Sequence, residues 1–132
     1  MKTNHIPTGQ NPKRGQAMTE FALIVPVFIL LVLAIFEFGR AFYIYSAIAN
    51  AAREGARVGI VRPSDTNAIK NRAIENAVFV GLTTGDITVQ CISSCSYDQK
   101  IQVTVNYTFT SVAPLIPSFN MSRSATMRIE SP

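Results

Sequence analysis

Residues 21–36, F-A-L-I-V-P-V-F-I-L-L-V-L-A-I-F, form an apolar run without one charged side chain. Sixteen residues in an α-helix rise about 24 Å, slightly less than the ~30 Å hydrocarbon core of a bilayer. Continuing to Tyr45 lengthens the segment past Glu37 and Arg40, which lie three apart and can pair on one helix face. Tyr43 and Tyr45 suit an interfacial aromatic belt. The helix-compatible pattern then persists to about Val61. No small-residue cut site of the secretory type follows the apolar run, so the segment is read as retained, with a membrane span over about residues 21–42. Residues 16–62 are therefore one long helix. Pro26 lies inside it and removes one backbone donor; it is either a proline tolerated by a membrane helix or a flex point. Arg62-Pro63 ends the helix.

Beyond Pro63 the pattern changes twice. Ser64 is an N-cap candidate for a second helix running to about Phe79, with Ile69, Ala73, Ala77 and Val80 as its apolar stripe and Lys70, Arg72 and Glu75 as a solvated face. Gly81 and the T-T-G-D at 83–86 break it. From Ile87 the period is two. Ile87, Val89 and Cys91 share one face of a first strand, and Ile101, Val103, Val105, Tyr107 and Phe109 share one face of a second. Pro114, Pro117 and Ser118 mark a loop. A last strand over about residues 122–130 carries Met127 and Ile129. The fold class is α+β: a long N-terminal transmembrane helix extending into a small domain with a second helix and an antiparallel sheet. Its parts are a leader over residues 1–15, which should be disordered up to Arg14, the long helix over 16–62 and an extracytoplasmic α+β domain over 63–132.

The second half of the long helix is rich in small residues. Ala49, Ala52, Gly55, Ala56 and Gly59 permit close approach of another element. They serve either helix–sheet packing within the chain or a seam between subunits, and the two can use different faces. A bulky substitution such as Gly55→Leu should overpack the contact.

Charge adds orientation. The 132 residues carry twelve Lys and Arg against eight Asp and Glu, a net charge of +4. Lys2, Lys13 and Arg14 supply three of those basic residues, and no acid precedes Gly15. The excess is thus a leader property and a topology signal, placing the N-terminus in the cytoplasm and everything after about Arg40 outside. No basic stripe with interleaved aromatics occurs, so nucleic acid is not expected as a partner.

Few residues offer catalytic chemistry. His5, the only histidine, falls in the leader, so no His-paired nucleophile is available to the folded part, and no phosphate-cradling glycine loop appears. Asp86 and Asp98 read as surface acids. No enzyme, cofactor or metal site is expected. Cys91 and Cys95 are too few for a metal site and lack redox C-x-x-C spacing. In an oxidising compartment, a disulfide that pins a hairpin loop is the simplest assignment.

A basic leader ending in glycine, a glutamate five residues later and an apolar helix together form a prepilin-like N-terminus. Three segments carry a closer resemblance: R-G-Q-A-M-T-E-F-A-L-I-V-P-V-F at 14–28, F-E-F-G-R-A-F-Y-I-Y-S-A-I-A-N-A-A-R-E-G-A-R at 36–57, and S-A-T-M-R-I-E at 124–130. With these the chain resembles the TadE-like family of the tight-adherence pilus system, whose members look like minor pilins or pseudopilins. The resemblance implies cleavage by a prepilin peptidase between Gly15 and Gln16. It also implies that Glu20, fifth in the mature chain, meets the new α-amine of a neighbouring pilin-like subunit once the helix leaves membrane lipid. A carboxylate entering an apolar bundle needs such a positive partner; the plainer role is a residue resting at headgroup level. The rival expectation is an uncleaved single-pass membrane protein with an external binding or scaffold domain. A major pilin is less expected, since that class in this system is usually very short.

Overall fold

The computed structural model describes residues 12–92, 95–112 and 116–130. The leader up to Asn11, with His5, and the loop marker Pro114 lie outside the described residues. The chain forms two compact units, Met1–Phe36 and Glu37–Pro132. Their boundary falls inside the first helix, so the small-residue half of that helix belongs to the α+β unit.

Helix α1 covers Pro12–Val61 and is α-helical through Pro26. Its start precedes the expected residue 16. Proline suits a first helical position, because its fixed φ is already helical and its missing N–H would have no partner there. Among the described side chains of the first unit almost everything is exposed, Phe21, Leu23, Phe28, Leu31 and Phe36 included.

The second unit is built on the remainder of α1. There Ile44, Ile48, Ala51, Ala52, Gly55, Ala56 and Gly59 are buried. Steps of three and four residues put them on one helix face. Ala49 sits at the margin of this stripe, half-buried, and Ala51 takes the central place. Helix α2 covers Thr66–Asn76, capped by Asp65, whose carboxylate accepts from the Ala68 N–H at 3.0 Å. The cap is therefore Asp65 and not Ser64: aspartate adds a negative charge at the positive helix end. The α-helix also stops earlier than Phe79. The chain tightens into a 3-10 turn, Val78–Val80, closed by Gly81 in the left-handed region at φ 75°, where glycine carries no Cβ penalty. Ile69, Ala73, Ala77 and Val80 are all buried. A second 3-10 turn, Thr84–Asp86, carries a reciprocal cap: Asp86 accepts from the Thr83 N–H at 2.8 Å and its hydroxyl at 2.7 Å.

Strands β1 (Ile87–Ile92), β2 (Lys100–Phe109) and β3 (Phe119–Arg128) form an antiparallel meander in the order β1-β2-β3. The register sets Ile87 opposite Val105 and Cys91 opposite Ile101, then Ile101 opposite Met127 and Phe109 opposite Phe119. Period-two alternation makes Ile101, Val103, Val105 and Phe109 core residues. Strand β3 begins three residues earlier than expected and ends before Ile129. That residue is nonetheless buried, because its N–H donates to Gln99 and its carbonyl accepts from Asp98, which ties it to the β1–β2 hairpin.

The small residues of α1 are where the layers meet. A Cβ placed on Gly55 would stand 3.2 Å from Val103 Cγ1, 3.3 Å from Ala73 Cβ and 3.3 Å from the Ile69 carbonyl oxygen. At Gly59 it would stand 2.7 Å from Ile101 Cδ1, the movable end of a side chain. Gly55 is therefore the less forgiving site, since it is hemmed by β2 on one side and α2 backbone on the other. Gly55→Leu is expected to destabilise the unit by about 1–3 kcal/mol, whereas Arg53→Leu on the exposed face should change stability by less than about 0.5 kcal/mol. Urea midpoints of the two variants in detergent measure the difference.

Candidate functional site

Two features invite a functional reading, one in each unit. In the first unit the expected processing site lies within α1. The Gly15 carbonyl accepts from the Thr19 hydroxyl at 3.0 Å, and a Cβ on Gly15 would meet nothing within 4 Å. Gln16 is exposed. Glycine inside a helix costs about 1 kcal/mol relative to alanine, so the backbone here opens more readily than its surroundings. Glu20 is exposed, and among the described residues it has no ion pair or side-chain hydrogen bond. It stands at the head of apolar side chains that are largely exposed among the described residues.

In the second unit Glu37 and Arg40 do more than form a local pair. Glu37 is only 8 % exposed. Its Oε2 accepts from Arg40 Nη2 at 2.9 Å, and its Oε1 accepts from the Val112 N–H at 3.1 Å. Arg40 Nη2 also donates to the Thr110 carbonyl at 2.5 Å. The guanidinium lies 4.3 Å over the Phe109 ring, which packs at 5.0 Å against Phe119. The i, i+3 spacing predicts the pair. It gives no sign of the chain segment seventy residues away that the pair fastens to the helix. A buried carboxylate is tolerable when paired and hydrogen-bonded, and here both oxygens are occupied. Tyr45, expected in an interfacial belt, lies 4.5 Å beneath the Arg123 guanidinium.

Of the remaining candidate residues, Ala52, Gly55, Ala56 and Gly59 line the contact with β2 and α2 described above. Cys91 and Cys95 are bridged, with Cα atoms 5.3 Å apart; Ser93 and Ser94 between them lie outside the described residues. The two surface acids do not meet. Asp86 serves the turn cap and Asp98 pairs with Arg128 at 3.0 Å.

One helix, Gly15–Val61 in its described part, is long and apolar enough to cross a membrane. With the α+β unit that follows, it gives a class of chain: one candidate membrane helix followed by a small α+β unit. The family model described as TadE-like protein matches residues 15–57, less than half of the chain, so this stretch is similar to that family. The match takes in the first two of the three resembling segments, apart from Arg14, and does not reach the third. No curated protein and no solved structure matches the chain. Together the match and the apolar helix support a membrane protein associated with the tight-adherence pilus.

Proposed function

We propose that the chain is a minor pilin-like subunit that primes, caps or joins a tight-adherence filament. The observation that carries this reading is Glu20: a carboxylate with no partner among the described residues, at the head of a bare apolar helix, inside a TadE-like segment. A membrane holds the helix before assembly, with the N-terminus in the cytoplasm and the head outside. Prepilin peptidase cuts between Gly15 and Gln16. The helix then moves laterally from lipid into a bundle of neighbouring pilin-like helices, where Glu20 takes up the α-amine of an adjacent Gln16. Desolvating a lone carboxylate is costly, and a hydrogen-bonded cation offsets that cost. After maturation the mechanism needs no covalent chemistry, so no cofactor or catalytic group enters it.

The open space around Gly15 makes the processing step testable without disturbing the fold. Gly15→Ala is expected to leave expression and membrane extraction unchanged while blocking the cut, so that the variant migrates more slowly than wild type on an immunoblot. Equal mobility of the two would contradict processing at this bond. One observation favours a second reading: α1 begins at Pro12, so the scissile bond lies in a helix that a protease must first open. A chain that kept its leader would be a static single-pass protein with an external scaffold domain, and N-terminal sequencing of the membrane form separates the two.

A further inference from the structure

We propose that the cleft between the last turns of α1 and helix α2 binds a short acidic segment of another polypeptide, with Arg57 and Arg62 taking its carboxylates. The site lies wholly within the second unit and is independent of the roles given to Gly15 and Glu20. Glu54, Val58 and Val61 follow one another at steps of four and three, and Arg57 stands three beyond Glu54 and four before Val61. Such spacing puts all four on one side of the helix. Arg62 follows directly where α1 ends, and its N–H donates to the Val58 carbonyl at 2.9 Å. Arg72 comes from α2. These six residues line a cleft of about 520 Å³, within the range of about 300–1,000 Å³ usual for ligand sites.

The charges of the cleft are unbalanced. Three guanidinium groups meet one carboxylate. That carboxylate, Glu54, is already taken: it lies 3.6 Å from Arg72, which also contacts Glu75 at 3.5 Å. Arg57 and Arg62 are exposed, and neither has an ion pair or a side-chain hydrogen bond among the described residues. A guanidinium offers a planar fork that holds a carboxylate or a phosphate through two parallel bonds. The floor of the cleft chooses between these anions. In helical projection, at about 100° per residue, Val58 and Val61 fall between Arg57 and Arg62. Val58 is half-buried and Val61 is 76 % exposed. Two unpaired cations therefore flank an apolar strip. A phosphate ion leaves that strip in water. A peptide with an apolar side chain between two carboxylates covers the strip and satisfies both cations, and recognition of acidic motifs by clustered arginines is a recurring mode of peptide binding.

The test uses the full-length protein in maltoside micelles at physiological ionic strength, where long-range attraction between exposed charges is damped. A biosensor carries the peptide E-V-E-V-E or its uncharged counterpart Q-V-Q-V-Q. Wild type is expected to hold E-V-E-V-E at least about tenfold more tightly than Q-V-Q-V-Q, and Arg57→Gln and Arg62→Gln are each expected to weaken it about tenfold, the effect of losing one charged hydrogen bond. Arg53 serves as the control. It stands one turn before Arg57, does not line the cleft and donates to Asn50 Oδ1 at 3.2 Å, so Arg53→Gln is expected to bind as wild type does. All three side chains are exposed, and equal urea midpoints show that the fold persists in each variant. Equal binding of the two peptides would overturn the proposal. So would a loss in Arg53→Gln as large as that in Arg57→Gln, which would make the attraction a property of the whole basic surface. Displacement of E-V-E-V-E by inorganic phosphate more readily than by glutarate would overturn it in favour of a phosphate-bearing ligand.

Discussion

Glu20→Ala is expected to remove the protein from sheared filaments while leaving its amount in the membrane, its processing and the stability of its α+β unit unchanged. In the single chain Glu20 is exposed and, among the described residues, without a partner, so its loss should change folding by less than about 0.5 kcal/mol. In a bundle the situation reverses. Under the proposed assembly a neighbour's α-amine would be drawn into an apolar surrounding, and truncation of the carboxylate would strand it there. Breaking one side of a buried pair costs about 3–5 kcal/mol, which corresponds to a partition shifted by about two orders of magnitude or more. Quantitative immunoblots of filament and membrane fractions read this directly. A filament fraction equal to that of wild type would mean that Glu20 simply rests at headgroup level.

Phe109→Ala carries the second large effect, and it acts on the other unit. Phe109 is fully buried, lies opposite Phe119 in the sheet and packs against its ring, and carries the Arg40 guanidinium on its face. Truncation opens a cavity, removes the ring contact and takes away the surface on which Arg40 is stacked. Large aromatic-to-alanine changes in a core cost about 3–5 kcal/mol, a large part of the stability of a small domain. The urea midpoint of the full chain in micelles should fall accordingly. Residues 110–112 should also become sensitive to protease, since the clamp at Glu37 and Arg40 loses its base. A loss below about 1 kcal/mol would show that Phe109 is not the keystone of this end of the sheet.

What the sequence displayed well were features set by local periodicity. The alternation from Ile101 to Phe109 marks a half-buried strand because side chains alternate faces in any strand. The stripe of Ile69, Ala73, Ala77 and Val80 similarly follows from helical spacing. Boundaries were less legible, because neighbouring polar residues compete for the same role. Ser64 and Asp65 can both cap, and only the fold selects Asp65. The early start of β3 was hidden because residues 119–122 lack a run of β-branched side chains, so β2 and not local propensity holds them in the sheet. The apolarity of Ile129 suggests a strand residue, but it is buried because two hydrogen bonds to the β1–β2 hairpin hold it beyond the strand end. The clamp was the least visible element. Spacing brings Glu37 beside Arg40, but Thr110 and Val112 are reached only through the β2 register. The proposal for Glu20 rests on sequence order alone, glycine, glutamate and an unbroken apolar run, and the fold adds that this carboxylate is exposed.

The proposed assembly requires a chain that is cut after Gly15, so that a new amine is available for Glu20. Intact-mass spectrometry of the protein extracted from its native membrane, without reduction, tests this most directly. The predicted mass is that of a chain beginning at Gln16 with Cys91 and Cys95 joined. A mass that still includes the residues before Gln16 would contradict it.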